Sequence, residues 1–297
     1  MSGPIETKAA MDHSSRLKLL SEINLGGHIA EDERENLGQI FYKTDIWSRV
    51  RNDEIDLILG DKGSGKSAIF LLLHEKKFDM LMDSDIIMLN AENPRGNTVF
   101  RDIASNPPKS VREMEYIWQL YFLTIIARDF IRYNFKGEKV RTFLKALETS
   151  GIKVQKSNQL NDLLSFVRRF IDRASDGEVE ISLDPITNLP IFKYKLGYSQ
   201  NESRDISLDV ALEKLFQLAS DVIQQNKLVF WILIDRLDVA FEESIELENS
   251  ALRALLKAYL NVLNFKSIRF KIFLRSDIFE RITSQEEGFR ELSHISR

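Results

Sequence analysis

The stretch GDKGSGKS, Gly60 to Ser67, constrains this chain more than any other. It has the form G-x-x-x-x-G-K-[ST], in which backbone N–H groups curl around a chain of phosphates. Gly60, Gly63 and Gly65 supply the freedom that such a curl needs, because an amide-lined concavity uses conformations that a Cβ disfavours. Lys66 is placed to reach the β- and γ-phosphates as a point charge, and Ser67 to offer its hydroxyl to Mg²⁺. Asp61, Lys62, Ser64 and Ala68 fill the remaining positions of the candidate binding loop.

The flanks agree with that reading. Ile55 to Leu59 is short, apolar and β-branched enough for a buried strand, and Ala68 to Leu73 continues without a breaker, as a helix does. A helix starting at the loop turns its free amides and the positive end of its dipole toward the phosphates.

A second landmark is Leu228 to Asp235, an apolar run ending in a carboxylate. In a nucleotide-binding sheet, a strand beside the first is expected to end in an acid that holds the water shell of Mg²⁺ opposite the serine, and Asp235 meets that need. Asp238 follows closely enough to orient or deprotonate an attacking water. The last apolar run, Ile268 to Leu274, is followed by Arg275, Ser276 and Asp277. Arg275 or Asp277 is positioned to sense a terminal phosphate or align the water, while Ser276 or Asp277 equally suits the N-cap of a helix beginning at Ile278. Both roles are compatible.

Between the landmarks, Ser84 to Asn90 reads as another buried strand, followed by a loop through Asn93, Pro94, Arg95, Gly96 and Asn97 that faces the site if the sheet is doubly wound. Val111 to Tyr133 carries Met114, Ile117, Trp118, Tyr121, Phe122, Ile125 and Ile126 at helical spacing, a core helix rather than a cofactor box. Helices are also expected over Leu208 to Gln225 and Leu247 to Leu263. Upstream, Ala30 to Val50 has helical spacing broken near Thr44, and order should begin near Leu17. Ile29, Phe41 and Trp47 are candidate contacts for a base, each better explained as a core side chain.

Residues 135–206 read as an insertion. From Arg132 to Arg173 ten Lys or Arg face four Asp or Glu, in two helical pieces around Phe143 and Leu163 to Val167, and Glu178 to Tyr198 alternates as a β-hairpin. The charge suits a protein partner, a neighbouring protomer or a nucleic-acid backbone, although solvated helix faces explain it better.

Composition narrows the classes further. With 297 residues, 41 basic against 45 acidic side chains and a net charge of −4, the chain has no global pull toward nucleic acid. The absence of cysteine excludes disulfides and thiolate metal sites, and His13, His28, His74 and His294 have no ligand spacing. No leader or spanning segment stands out, so a cytoplasmic protein without membrane partners is expected.

Together, GDKGSGKSA, ILIDRLD and KIFLRSD, with AEDE upstream, resemble a bacterial family of P-loop ATPases near the STAND and origin-recognition branches of the AAA+ type. The resemblance covers residues 25–90 and 208–280. It implies an α/β P-loop NTPase core of mostly parallel sheet flanked by helices, with Gly60 to Ser67 as Walker A, Asp235 in Walker B and Arg275 to Asp277 in the sensor-1 region. It also implies ATP and Mg²⁺ as ligands and a regulatory ATPase that acts with an effector or as a homo-oligomer, as in bacterial defence against phage. An arginine finger would come from a neighbour.

On this division, residues 1–50 form an N-terminal helical segment, 51–134 and 207–297 the two parts of the core, and 135–206 the insertion. Two departures stand out. Arg236 occupies the place where many relatives carry an acid, so either Asp238 activates water or hydrolysis is slow. The chain also stops soon after the fourth strand, which suggests truncation or completion by another chain. Two rivals remain: a scaffold that binds ATP without appreciable hydrolysis, and a small-molecule kinase.

Overall fold

The structure, a computed structural model, describes residues 44–91, 107–149, 152, 154, 163–168, 179–183, 190–194, 207–235, 237 and 244–284, with backbone alone for 179–183 and 191–194. Backbone contacts divide the chain into Met1–Phe41 and Tyr42–Arg297, and every described residue belongs to the second unit.

Four strands, β1 (Leu57–Gly60), β2 (Ile86–Asn90), β5 (Val229–Ile234) and β6 (Ile268–Arg275), form one sheet in the order β1-β6-β5-β2. All three pairings are parallel. The fold is therefore α/β, as expected from apolar runs spaced by helical sequence. One expectation fails. The strand that ends at Asp235 does not lie beside β1, because β6 runs between them. β6 is the longer strand, eight residues against six, and pairs on both edges.

Alternation along the strands builds two buried faces. On one, Leu57, Ile87, Leu89, Phe230, Ile232, Ile234, Phe270, Ile272 and Leu274 join the main core cluster. This face is covered by α4 (Val111–Arg132), α6 (Leu208–Gln225) and α7 (Ile245–Val262). Sixteen of the 22 residues of α4 are buried, so it lies at the centre rather than on a surface. Phe122 and Tyr259 both meet Phe270 edge-on, and the Trp118 indole N–H donates to the Ala251 carbonyl at 2.9 Å. On the opposite face, α2 (Lys66–Glu75) packs Phe70 against Phe273 with ring centres 5.8 Å apart.

The helix ends follow from local chemistry. Thr44, Ser110, Ser207 and Ser244 each accept a backbone N–H three residues on, capping α1 (Asp45–Arg51), α4, α6 and α7. The break expected near Thr44 is thus a cap, and Trp47 just beyond it is 3% exposed, the burial of a core aromatic. Ile29 and Phe41 lie outside the described residues. α3 (Lys77–Ser84) ends at Asp85, whose positive φ turns the chain into β2.

In the region read as an insertion, α5 (Glu138–Thr149) buries Val140, Phe143 and Leu147, and its Lys139 pairs with Asp221 of α6 at 2.8 Å. The helical residues 163–168 bury Leu163, Leu164, Phe166 and Val167 in the main cluster. β3 (Val179–Leu183) and β4 (Pro190–Tyr194) pair antiparallel, with Ile181 opposite Phe192, which is the expected hairpin pairing. No helix among the described residues is long and apolar enough to cross a membrane.

Candidate functional site

β1 delivers Gly60 to the carboxyl end of the sheet, and the chain then makes a five-residue loop before entering α2 at Lys66. Gly63 and Gly65 hold φ at +85° and +88°, the left-handed region where a side chain is strained, so the pattern has glycine where the backbone requires it. Gly60 is glycine for another reason. A Cβ there would lie 2.4 Å from the Ser64 hydroxyl oxygen, so the serine side chain would have to turn away.

Lys66 folds back over the loop. Its ammonium donates to the Gly60 carbonyl at 2.6 Å, the Asp61 carbonyl at 2.8 Å and the Ser64 hydroxyl at 3.4 Å. Two neutral carbonyls and a hydroxyl are ligands that the oxygens of a doubly charged terminal phosphate can replace. Asp61, Lys62, Gly63, Ser64 and Gly65 are exposed, while Ser67 and Ala68 are half-buried in the first turn of α2. Gly65, the N-cap, has no side chain to cap that turn, in contrast to the Ser and Thr caps elsewhere.

β6 brings the third element of the site. Arg275 pairs in register with Gly60, one strand spacing of about 5 Å away. Its guanidinium donates to both carboxylate oxygens of Asp277, at 3.0 and 2.7 Å. This pairing lowers the Asp277 carboxyl below its ordinary range. The N-cap of α8 (Ser276–Thr283) is Arg275 itself, without a side-chain cap, so the expectation of capping by Ser276 or Asp277 is corrected: both sit inside the first turn. The carboxylate of Asp277 is engaged by its neighbour two residues back instead.

Asp235 follows β5 at the same end of the sheet and is buried at 6% exposure. Continuing the alternation of the strand, position 235 falls on the face of Trp231 and Leu233, which is the face that carries α2. The backbone at Asp235 and the start of the loop at Gly60 are thus two strand spacings apart, about 10 Å, with the β6 end between them. Arg236 and Asp238 lie outside the described residues, as does the loop from Asn93 to Asn97.

No protein-family model, curated protein or solved structure matches the chain.

The residues present suit a phosphate chain with a divalent cation: a glycine-shaped loop, a lysine held by exchangeable ligands, and the hydroxyl and carboxylate of Ser67 and Asp235 on one side of the sheet. Among the described residues no group of three or more His, Asp or Glu gathers as a metal cage. Octahedral Mg²⁺ in nucleotide sites draws on one or two protein ligands, waters and substrate oxygens, so it needs no such cage.

Sequence reasoning missed two supports. The Tyr121 hydroxyl donates to the Ala91 carbonyl and pins the residue where β2 ends. Its place in an aromatic run of a core helix hides it. Lys271, in the middle of β6, is fully buried and binds Asp53, Asp56 and the Ile55 carbonyl just before β1. A lone lysine inside IRFKIFL was the available signal, since a buried ammonium requires partners. The basic run in 132–173 is partly accounted for by structure: Arg168 pairs with buried Glu113 at 2.9 Å and Lys139 with Asp221.

Proposed function

We propose that this protein binds Mg·ATP at the Gly60 to Ser67 loop and works as a P-loop ATPase whose nucleotide state is read by a protein partner. The observation that carries the reading is the loop geometry. Two left-handed glycines, a close approach of Ser64 to Gly60, and a lysine donating to carbonyls surround the space where phosphates would sit. Lys66 would leave those carbonyls for the β- and γ-phosphates, a move within the reach of one lysine side chain. Ser67 and Asp235 would hold Mg²⁺, which supplies charge neutralisation and orientation of the phosphates. Asp238 is the acid proposed to orient the attacking water. Catalysis would rest on positioning and electrostatics, with no covalent intermediate.

ATP rather than GTP, the homo-oligomer and a role in defence against phage rest on the resemblance of GDKGSGKSA, ILIDRLD and KIFLRSD alone. The scaffold reading keeps one specific support, Arg236 in the place of an acid.

The test is a paired titration of Mg·ATP and measurement of phosphate release. Wild type is expected to bind, Lys66→Ala to lose at least ~100-fold in affinity with loss of two charge-assisted bonds, and Asp238→Ala to bind but not release phosphate. Binding by Lys66→Ala equal to wild type would refute the reading. Tight binding with no phosphate release from wild type would select the scaffold.

A further inference from the structure

Two of the cations at the mouth of the site, Lys66 and Arg275, are held by groups of the protein. Lys66 donates to the Gly60 and Asp61 carbonyls and the Ser64 hydroxyl. Arg275, the register neighbour of Gly60, is gripped by the carboxylate of Asp277 through two parallel hydrogen bonds. Leaving a carboxylate gains only if the incoming group is the better anion in that place.

We infer that Asp277 holds Arg275 back from the bound nucleotide and releases it only to a terminal phosphate, so that the Arg275–Asp277 pair sets the preference for nucleoside triphosphate over diphosphate. The inference rests on the nucleotide-binding reading above and names what the switch senses. Asp277 acts through Arg275 and is a positioning residue.

Three observations fit this role. Arg275 ends β6 on the face that carries α2, by the alternation that places Phe273 against Phe70, so its side chain starts on the phosphate side of the sheet. Its side chain is 34% exposed and that of Asp277 is 61% exposed, so the pair is screened and can open without a large penalty. Asp277 also lies only two residues beyond Arg275, at the start of α8, so the released carboxylate stays close and recaptures the guanidinium when the terminal phosphate leaves. The lock is local and needs no motion of the sheet.

An exposed bidentate pair changes equilibria by a modest factor, roughly two- to fivefold. The experiment measures dissociation constants for Mg·ADP and for the Mg complex of β,γ-imido ATP, by calorimetry, in wild type, Asp277→Asn, Arg275→Gln and the double variant. Asparagine keeps the size and the polarity of the helix first turn while removing the charge. Asp277→Asn is expected to tighten the triphosphate two- to fivefold and leave the diphosphate unchanged. In the Arg275→Gln background the same substitution is expected to change neither.

A gain that persists without Arg275 would mean that Asp277 merely repels anions, and overturns the inference. An unchanged triphosphate-to-diphosphate ratio in Asp277→Asn also overturns it, while leaving nucleotide binding at the loop intact. Absence of binding of either nucleotide to wild type overturns both readings at once.

Discussion

Replacing Lys271 with methionine is expected to destabilise the fold by about 3 kcal/mol. The ammonium is fully buried and donates to Asp53 at 2.6 Å, the Ile55 carbonyl at 2.8 Å and Asp56 at 3.1 Å, while lying 4.5 Å from the centre of the Trp231 ring. Methionine matches the stem in length and volume, so no cavity opens and the packing on Trp231 is kept. What remains is two carboxylates with one cation too few. Removing one partner of a buried ion pair costs about 3–5 kcal/mol. The lower end applies here, because the Asp53 and Asp56 side chains are 31% and 18% exposed, and each keeps a partner. Arg269 stays 3.3 Å from Asp53, and the Tyr259 hydroxyl donates to Asp56 at 2.8 Å.

Urea unfolding followed by tryptophan fluorescence reads the change as a shift in midpoint at constant slope. Adding Asp56→Asn to Lys271→Met is expected to recover about 1 kcal/mol, because it removes a charge left short of its cation. If Lys271→Met falls within about 0.5 kcal/mol of wild type, or if the second substitution adds its own cost, the network contributes nothing of the kind argued.

Gly65→Ala, forced to hold φ at +88°, should weaken Mg·ATP binding about tenfold through strain of roughly 1–2 kcal/mol. Gly137→Ala, strained at +118° but outside the loop, should lower the unfolding midpoint and leave the nucleotide affinity alone, and equal affinities for the two variants would contradict the assignment. Burial raises the Asp129 carboxyl to about 6 against the pull of Arg132 and Arg128, so its ionisation opposes folding increasingly as pH rises from about 4 to 6 and fully above that. Asp129→Asn is therefore expected to stabilise by about 1–2 kcal/mol at pH 7.5, after discounting for partial solvation, and to have no effect near pH 4; the difference between urea midpoints at the two pH values checks it.

Much of the fold was legible because its signals are local. The boundaries of α4 and α6 follow from apolar periodicity and serine caps, and β5 and β6 from apolar runs ended by Asp235 and Arg275. Strand order was not legible. β1 pairs with a strand more than 200 residues later, and both of its possible neighbours are apolar runs of similar composition, so nothing local separates them. Gly63 and Gly65 were legible because backbone conformation is a local demand, and both hold a positive φ. The Arg275–Asp277 pair was visible only as a choice between cap and sensor, since competition between a backbone amide and a guanidinium for one carboxylate is settled by geometry.

The interposed β6 ties these observations together. β1 and β6 run side by side, and each carries one held cation at its carboxyl end, Lys66 on the Gly60 carbonyl and Arg275 on Asp277. At the other end the same two strands are fastened by Lys271 to Asp53 and Asp56, with the Ile272 N–H donating to the Asp56 carbonyl at 2.8 Å. A strand pair anchored by a buried ammonium and packed on both faces cannot slide cheaply, since any shift in register would separate the lysine from both carboxylates. On the nucleotide-binding reading, the response to ATP is then an exchange of side-chain partners above a fixed sheet. On that same reading, a partner that senses the nucleotide state would, among the described residues, read the released Asp277, the start of α8 or the loop rather than a displaced strand.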